Sequence, residues 1–257
     1  MVKLLVMSTS FKKFRSRLFE GLFCLVTVSV LAASACFGAQ QKGDIASPRI
    51  VALDPGHGGH DTGAHGPENL LEKQLVLKFS TLLSEQLRKN YKVLLTRTDD
   101  YNVALEDRIA KANHARADVF ISIHTGASLL HNIGGISIFY YEKPPVADSE
   151  AASAVPVETP QLESWNIVKP KQIDQSEYLA ELVKKRLLEN HIQENLTVAG
   201  MPLFIAVGTE MPTILIEIGF ITNPGDVEIL TNSEKLRNYA HTIAQAVDDF
   251  FSDKLRL

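Results

Sequence analysis

The sequence predicts one α/β domain, a mostly parallel sheet of roughly six strands flanked by helices. Three observations predict it. Short β-branched apolar runs alternate with longer segments whose apolar residues recur at helical spacing, the order of a parallel sheet. The first of these runs stops at Asp54-Pro55-Gly56 and the third ends on His124, so strand ends and chemistry-bearing residues coincide. The 257 residues, 45% hydrophobic and 22% charged with 15 Gly and 11 Pro, have an ordinary globular composition. That is enough for one domain with a real core but not for a large second module.

Residues 1–39 read as an export signal. The basic stretch Lys12-Lys13-Phe14-Arg15-Ser16-Arg17 precedes an apolar run over 21–35 that ends in small residues, the pattern of a cleaved secretory segment. Continued to Ala39, the run also approaches the length of a membrane anchor. Ala33-Ser34-Ala35-Cys36 loosely resembles a lipobox but lacks the usual Leu, so lipidation at Cys36 and a membrane tether through the N-terminus stand as the alternative. Both cysteines, Cys24 and Cys36, lie here, so the rest of the chain has no thiol and makes no disulfide. Five of the cations also lie here against one anion, which leaves about −8 on the remainder of a chain with net charge −4. A body that acidic is a poor partner for phosphate backbones, and nucleic acid is excluded.

Residues 40–48 are a short linker, and 49–253 form the body of the protein. Within it, 49–53 is a β-branched strand followed by a Gly- and His-rich loop. Leu71, Leu75, Leu82, Leu83 and Leu87 mark a helix over 70–89. A second strand covers 91–95, a helix 105–116, a third strand 118–124 and a fourth 135–141. A helix over 175–190, strands near 203–207 and 213–218, and a helix over 234–251 complete the pattern. Between them, Pro144, Pro145, Pro156, Pro160 and Pro170 mark a Pro-rich surface insertion at about 142–174.

Histidine carries the chemistry. His57, His60, His65, His124 and His131 lie near the ends of the first and third strands, and in a parallel sheet those ends share one edge, where sites are built. Two imidazoles and one carboxylate make the ligand set of a catalytic zinc site with one position left open. Glu68 and Glu72 are the acids in range, with Glu72 at the helix start better placed to be held rigidly. Glu217, flanked by Ile216 and Ile218 in an apolar strand, is costly to bury unless it has a partner or a task. It is the candidate acid/base. The body has no Cys nucleophile, no His-Glu-x-x-His, no Gly-x-Ser-x-Gly and no phosphate-binding Gly-x-x-x-x-Gly-Lys.

Several motifs agree in order: Leu53-Asp54-Pro55-Gly56-His57-Gly58-Gly59-His60-Asp61-Thr62-Gly63-Ala64, Leu71-Glu72-Lys73, Leu95-Thr96-Arg97-Thr98-Asp99, Arg108 with Ala112-Asn113, Asp118 to His124, and Ile216-Glu217-Ile218-Gly219-Phe220-Ile221-Thr222-Asn223-Pro224. Over roughly 49–250 the chain resembles the zinc-dependent N-acetylmuramoyl-L-alanine amidases of bacterial cell walls (amidase type 3), with their phosphorylase/hydrolase-like fold. The resemblance implies hydrolysis of the amide between N-acetylmuramic acid and the L-alanine of the peptidoglycan stem peptide, in wall remodelling or daughter-cell separation. It implies Zn²⁺ held by His57, Glu72 and His124, Glu217 as the catalytic acid, and no other cofactor. It further implies a periplasmic or envelope location, and an activator or division protein as a partner. Two departures stand out. Thr125-Gly126 replaces the family's usual Ala-Asn or Ala-Asp, so a polar contact beside the metal is lost or moved. The insertion lies where several members carry an autoinhibitory helix, but here it is Pro-rich and expected to cap the cleft loosely, if at all. No wall-binding repeat is recognised. The competing readings are a stem-peptide carboxypeptidase using the same zinc site and a catalytically silent, peptidoglycan-binding member.

Overall fold

The computed structural model describes residues 48–143 and 168–254. The export segment, most of the linker and the middle of the Pro-rich insertion lie outside the described residues. The described strands form one six-stranded sheet in the order β2-β1-β3-β6-β4-β5, with β1 Ile50–Pro55, β2 Lys92–Leu95, β3 Val119–Gly126, β4 Ile136–Tyr141, β5 Leu196–Met201 and β6 Thr213–Phe220. Strands β2, β1, β3 and β6 are parallel; β4 runs antiparallel to β6, and β5 runs parallel to β4. The helices are α1 Glu72–Leu87, α2 Leu105–His114, α3 Pro170–Glu189, α4 Pro224–Thr231 and α5 Ser233–Lys254. Among the described residues no helix is long and apolar enough to cross a membrane.

Alternation along each strand divides its side chains between two faces. One face presents Val51 and Leu53, Val119, Ile121 and Ile123, Ile136 and Ile138, and Ile214, Ile216 and Ile218. Leu75, Val76, Phe79 and Leu83 of α1, Leu179 and Val183 of α3, and Tyr239, Ile243 and Val247 of α5 cover them to form the main core. The other face has only a small cluster in which Ala52 and Phe120 meet Ala112, Leu203, Ile205 and Met211. Toward the carboxyl ends of β1, β3 and β6 this second face turns polar, with Asp54, Ser122, His124 and Glu217. The site therefore lies where the sheet is thinly covered.

The structure corrects three expectations. The strand placed at 203–207 is a single 3-10 turn, Phe204–Ala206, and the strand is β5, seven residues earlier. Leu203 and Ile205 are apolar because they pack on the smaller cluster, whereas β5 contains Ala199 and Gly200 and owes its state to pairing with β4. The helix expected from 175 begins at Pro170, which stands in the first turn, where a missing N–H is harmless. Residues 170–174 therefore belong to α3 and not to the insertion. Gln172 anchors that turn, donating to the Thr209 and Met211 carbonyls and to Thr209 Oγ1 at 2.7–3.1 Å. Helix α4 was not expected; Asn223 caps it by accepting from Asp226 N at 3.0 Å, with Pro224 following.

Topology also bears on the insertion. Because β4 is antiparallel to β6, it carries the chain away from the edge that holds His124 and Glu217: Ser137 lies opposite Glu217 and Tyr140 opposite Ile214. The chain returns where Ser176 Oγ accepts from Thr213 N at 2.9 Å, at the start of β6. Both described ends of the insertion thus sit at the amino edge of β6, opposite the predicted site.

Candidate metal centre

The first candidate ligand sits just beyond β1. His57 adopts φ 59°, followed by Gly58 at 126° and Gly59 at 60°, a left-handed stretch that costs a non-glycine residue about 1 kcal/mol or more and persists only when its surroundings hold it. Two buried guanidinium groups hold it. Arg108 donates to the carbonyls of Pro55 (2.7 Å), His57 (2.8 Å) and Val103 (2.9 Å). Arg97 donates to those of Pro55 (3.0 Å), Gly56 (2.7 Å) and Lys73 (2.8 Å). Arg108 also pairs with Asp54 at 2.7 Å, and Asp54 accepts from Thr96 (2.5 Å) and Ser122 (2.8 Å). This network makes the edge of β1 rigid before any ligand is considered.

Glu72 opens α1 and is only 3% exposed. Its Oε2 accepts from Ala64 N at 2.8 Å and lies 3.2 Å from His57 Nε2. Its Oε1 accepts from Thr125 N at 2.9 Å and lies 3.1 Å from His124 Nδ1. Burial alone would raise its pKa, but the two imidazoles and two backbone N–H groups outweigh burial and hold it well below the usual carboxylate range. The His57 pKa is raised, first by its contact with Glu72, against the opposing effect of burial, and further by Asp61. Nδ1 of His57 pairs with Asp61 Oδ2 at 2.9 Å, which leaves Nε2 turned toward Glu72.

The structure brings His57, Glu72 and His124 together, with one ligand atom from each within 4.8 Å of the others. Two imidazoles and a buried, ionised carboxylate, braced from behind and facing a cleft, fit a borderline-soft divalent ion such as zinc. Glu68 is exposed, in a 3-10 turn at φ 54°, and takes no part. His65 instead pairs with Thr62 Oγ1 and His131 with the Thr222 carbonyl, both at 2.9 Å, and His60 is exposed. Glu217 stands directly beside His124 in the β3–β6 register. It is half-buried, and its pKa is raised, first by burial and then by the charge of Glu72, with His124 and Ser137 opposing. Sequence reasoning placed Asp54, Asp61, Arg97, Arg108 and Ser122 within motifs but gave them no role, since Asp54-Pro55-Gly56 reads locally as a turn and the partners of Asp54 lie dozens of positions away.

The chain approaches itself closely here. A Cβ on Gly63 would stand 2.6 Å from both Glu72 Oε2 and His57 Cδ2, at φ +66°. Gly63→Ala is therefore expected to weaken metal binding at least tenfold while the far-ultraviolet circular dichroism stays native; competition with a chromophoric chelator measures it, and unchanged affinity would contradict this geometry.

Comparison with known proteins now decides the family. Residues 51–249 match the family model described as N-acetylmuramoyl-L-alanine amidase. The chain belongs to this family of hydrolases. This amidase is 31% identical over 222 residues to N-acetylmuramoyl-L-alanine amidase AmiA of Salmonella typhimurium, covering 80% of this chain and 77% of the relative. It is 30% identical over 223 residues to amidase AmiC of Neisseria meningitidis, where the match covers 79% of this chain but 53%, about half, of the relative. Its fold matches the crystal structure of the N-acetylmuramoyl-L-alanine amidase from Clostridium difficile 630 with a TM-score of 0.66 at 28% identity, over 80% of this chain and 98% of that one. The amidase's Thr125-Gly126 pair contributes through backbone and space: Thr125 supplies an N–H to Glu72 while its buried hydroxyl has no partner among the described residues, and a Cβ on Gly126 would meet the Phe220 ring at 2.8 Å.

Proposed function

We propose that this amidase hydrolyses the amide between the lactyl group of N-acetylmuramic acid and the L-alanine of the stem peptide, with zinc as its metal. His57, Glu72 and His124 are the residues to hold the ion, and Glu217 is the acid/base. The observation that carries the reading is the convergence of a His-Glu-His group with a carboxylate in register beside it, in a chain of this family. When bound, zinc supplies Lewis acidity to an amide carbonyl and acidifies water. The chain's own residues do the rest. Asp61 and the two arginines orient His57, and Glu72 carries the negative charge that two neutral imidazoles lack. Glu217, a stronger base as a carboxylate because burial raises its pKa, accepts a proton from water and then, as the acid, delivers it to the departing L-alanine nitrogen. The reading places the enzyme outside the cytoplasm, exported through residues 1–39, where its substrate is.

The test is product analysis by mass after incubating purified protein with muropeptides, with and without chelator. Intact stem peptide beginning at L-alanine, lost with chelator and restored by zinc, is the expected result. Release of D-alanine alone would replace the reading with a carboxypeptidase, and no product from folded, zinc-loaded protein would leave a binding protein.

A further inference from the structure

Two clefts share a wall, and the first of them opens on the candidate metal centre. The first, about 320 Å³, has His57, His124 and Asp61 in its walls. The second, about 570 Å³, is lined by Tyr101, Asp107, Lys111 and His114, and Asn102 and Val103 belong to both. Tyr101 is 41% exposed and is tied to its own turn at both ends. Its hydroxyl accepts from Thr98 N at 3.3 Å and its backbone N–H donates to Asp99 O at 3.0 Å. Its carbonyl oxygen would stand 2.3 Å from a Cβ on Gly58, and Asn102 N would stand 2.8 Å from one on Gly59. These are the two glycines that follow His57. They let the 101–102 ledge press against the loop that carries the first metal-ligand candidate, so ledge and centre are in fixed register. Asp100 reinforces this by accepting from Gly59 N at 2.8 Å and from Lys73 at 2.7 Å.

We infer that this ledge is a sugar subsite, where an N-acetylhexosamine ring of the substrate stacks on Tyr101 and its acetamido group pairs with the Asn102 side chain. The inference rests on the amidase reading and extends it. Two arms leave the scissile amide, a glycan and a peptide, and the ledge suits the glycan. A rigid, exposed phenol ring offers an apolar face to the C–H face of a pyranose. The Asn102 amide, which has no hydrogen bond among the described residues, matches the one donor and one acceptor of an acetamido group. The carboxylates of a stem peptide would find the local cation committed, since Lys111 donates to Thr96 O at 2.7 Å, and Asp107 repels them.

The experiment is a titration of the metal-free, full-length protein with the tetramer of N-acetylglucosamine, followed by backbone amide chemical shifts, which detect millimolar binding. Shifts confined to the 101–114 region are expected, with affinity about tenfold weaker in Tyr101→Ala and in Asn102→Ala and retained in Tyr101→Trp. With zinc-loaded protein, Tyr101→Ala raises KM for muropeptides about tenfold at constant kcat. Absence of tetramer binding, binding indifferent to Tyr101→Ala, or loss of stem-peptide binding in its place would overturn the subsite. Because the titration needs neither metal nor turnover, a wild type that binds the tetramer but releases no stem peptide would sink the amidase reading and leave the subsite standing.

Discussion

Glu217→Gln lowers kcat by about 10² to 10⁴ while zinc affinity stays within about twofold of wild type. The amide keeps the size of the carboxylate and one acceptor oxygen but cannot carry a proton from water to a leaving nitrogen. Glu217 lies beside His124 on the neighbouring strand, not among the three groups placed where they could hold an ion. Its loss should therefore separate turnover from metal binding. The position is tolerant of a neutral group, because burial already raises the Glu217 pKa and makes the charged form the expensive one. Stability should consequently hold or rise slightly. Steady-state kinetics on muropeptides and chelator competition on the same preparation give both numbers. A variant that loses zinc and activity together would move Glu217 into the metal-binding set, and one that keeps full kcat would remove it from the mechanism.

Arg108→Met carries the largest expected cost in stability, about 3–5 kcal/mol. The Arg108 and Asp54 side chains are 7% and 2% exposed, so the substitution leaves a buried carboxylate without its cation. It also strips donors from three carbonyls, those of Pro55, Val103 and His57. Asp54 keeps only the hydroxyls of Thr96 and Ser122. Urea unfolding of the metal-free protein measures the loss, and adding Asp54→Leu to Arg108→Met should restore part of it, because the stranded charge goes as well. The same variant should bind zinc at least tenfold more weakly, since Arg108 holds the backbone of His57. A loss below about 1 kcal/mol would mean that water replaces the guanidinium and that the clamp is dispensable.

Much of the scaffold was legible along the chain. The runs at 49–53 and 118–124 became β1 and β3 because their alternate residues, Val51, Leu53, Val119, Ile121 and Ile123, face one core. Helix α1 followed from the leucine spacing. The misplaced fifth strand shows where local pattern fails: Leu203, Ile205 and Ala206 pack without pairing, while Ala199 and Gly200 pair without looking like a strand. The start of α3 was hidden for a related reason, since Pro170 reads as an interruption to anyone who cannot see that it occupies a first turn.

The site divides in the same way. His57 and His124 could be paired from sequence because strand ends in a parallel sheet meet at one edge, a rule that needs only the order of elements. Glu72 was preferred to Glu68 for its place at the helix start; the tertiary structure adds what surrounds each, Glu72 between two imidazoles and two N–H groups and Glu68 in an exposed turn. Likewise only the fold pairs Asp54 with Arg108, brings Asp61 to His57, presses Tyr101 and Asn102 against two glycines, and sends both described ends of the insertion to the far edge of the sheet. By itself the sequence determined the α/β class, the sheet edge where the candidate residues gather and the residue types offered there, since periodicity and residue type are local properties. What surrounds each candidate ligand, what braces it and what lines the cleft were decided by strand register and packing between residues dozens of positions apart, which no local pattern encodes.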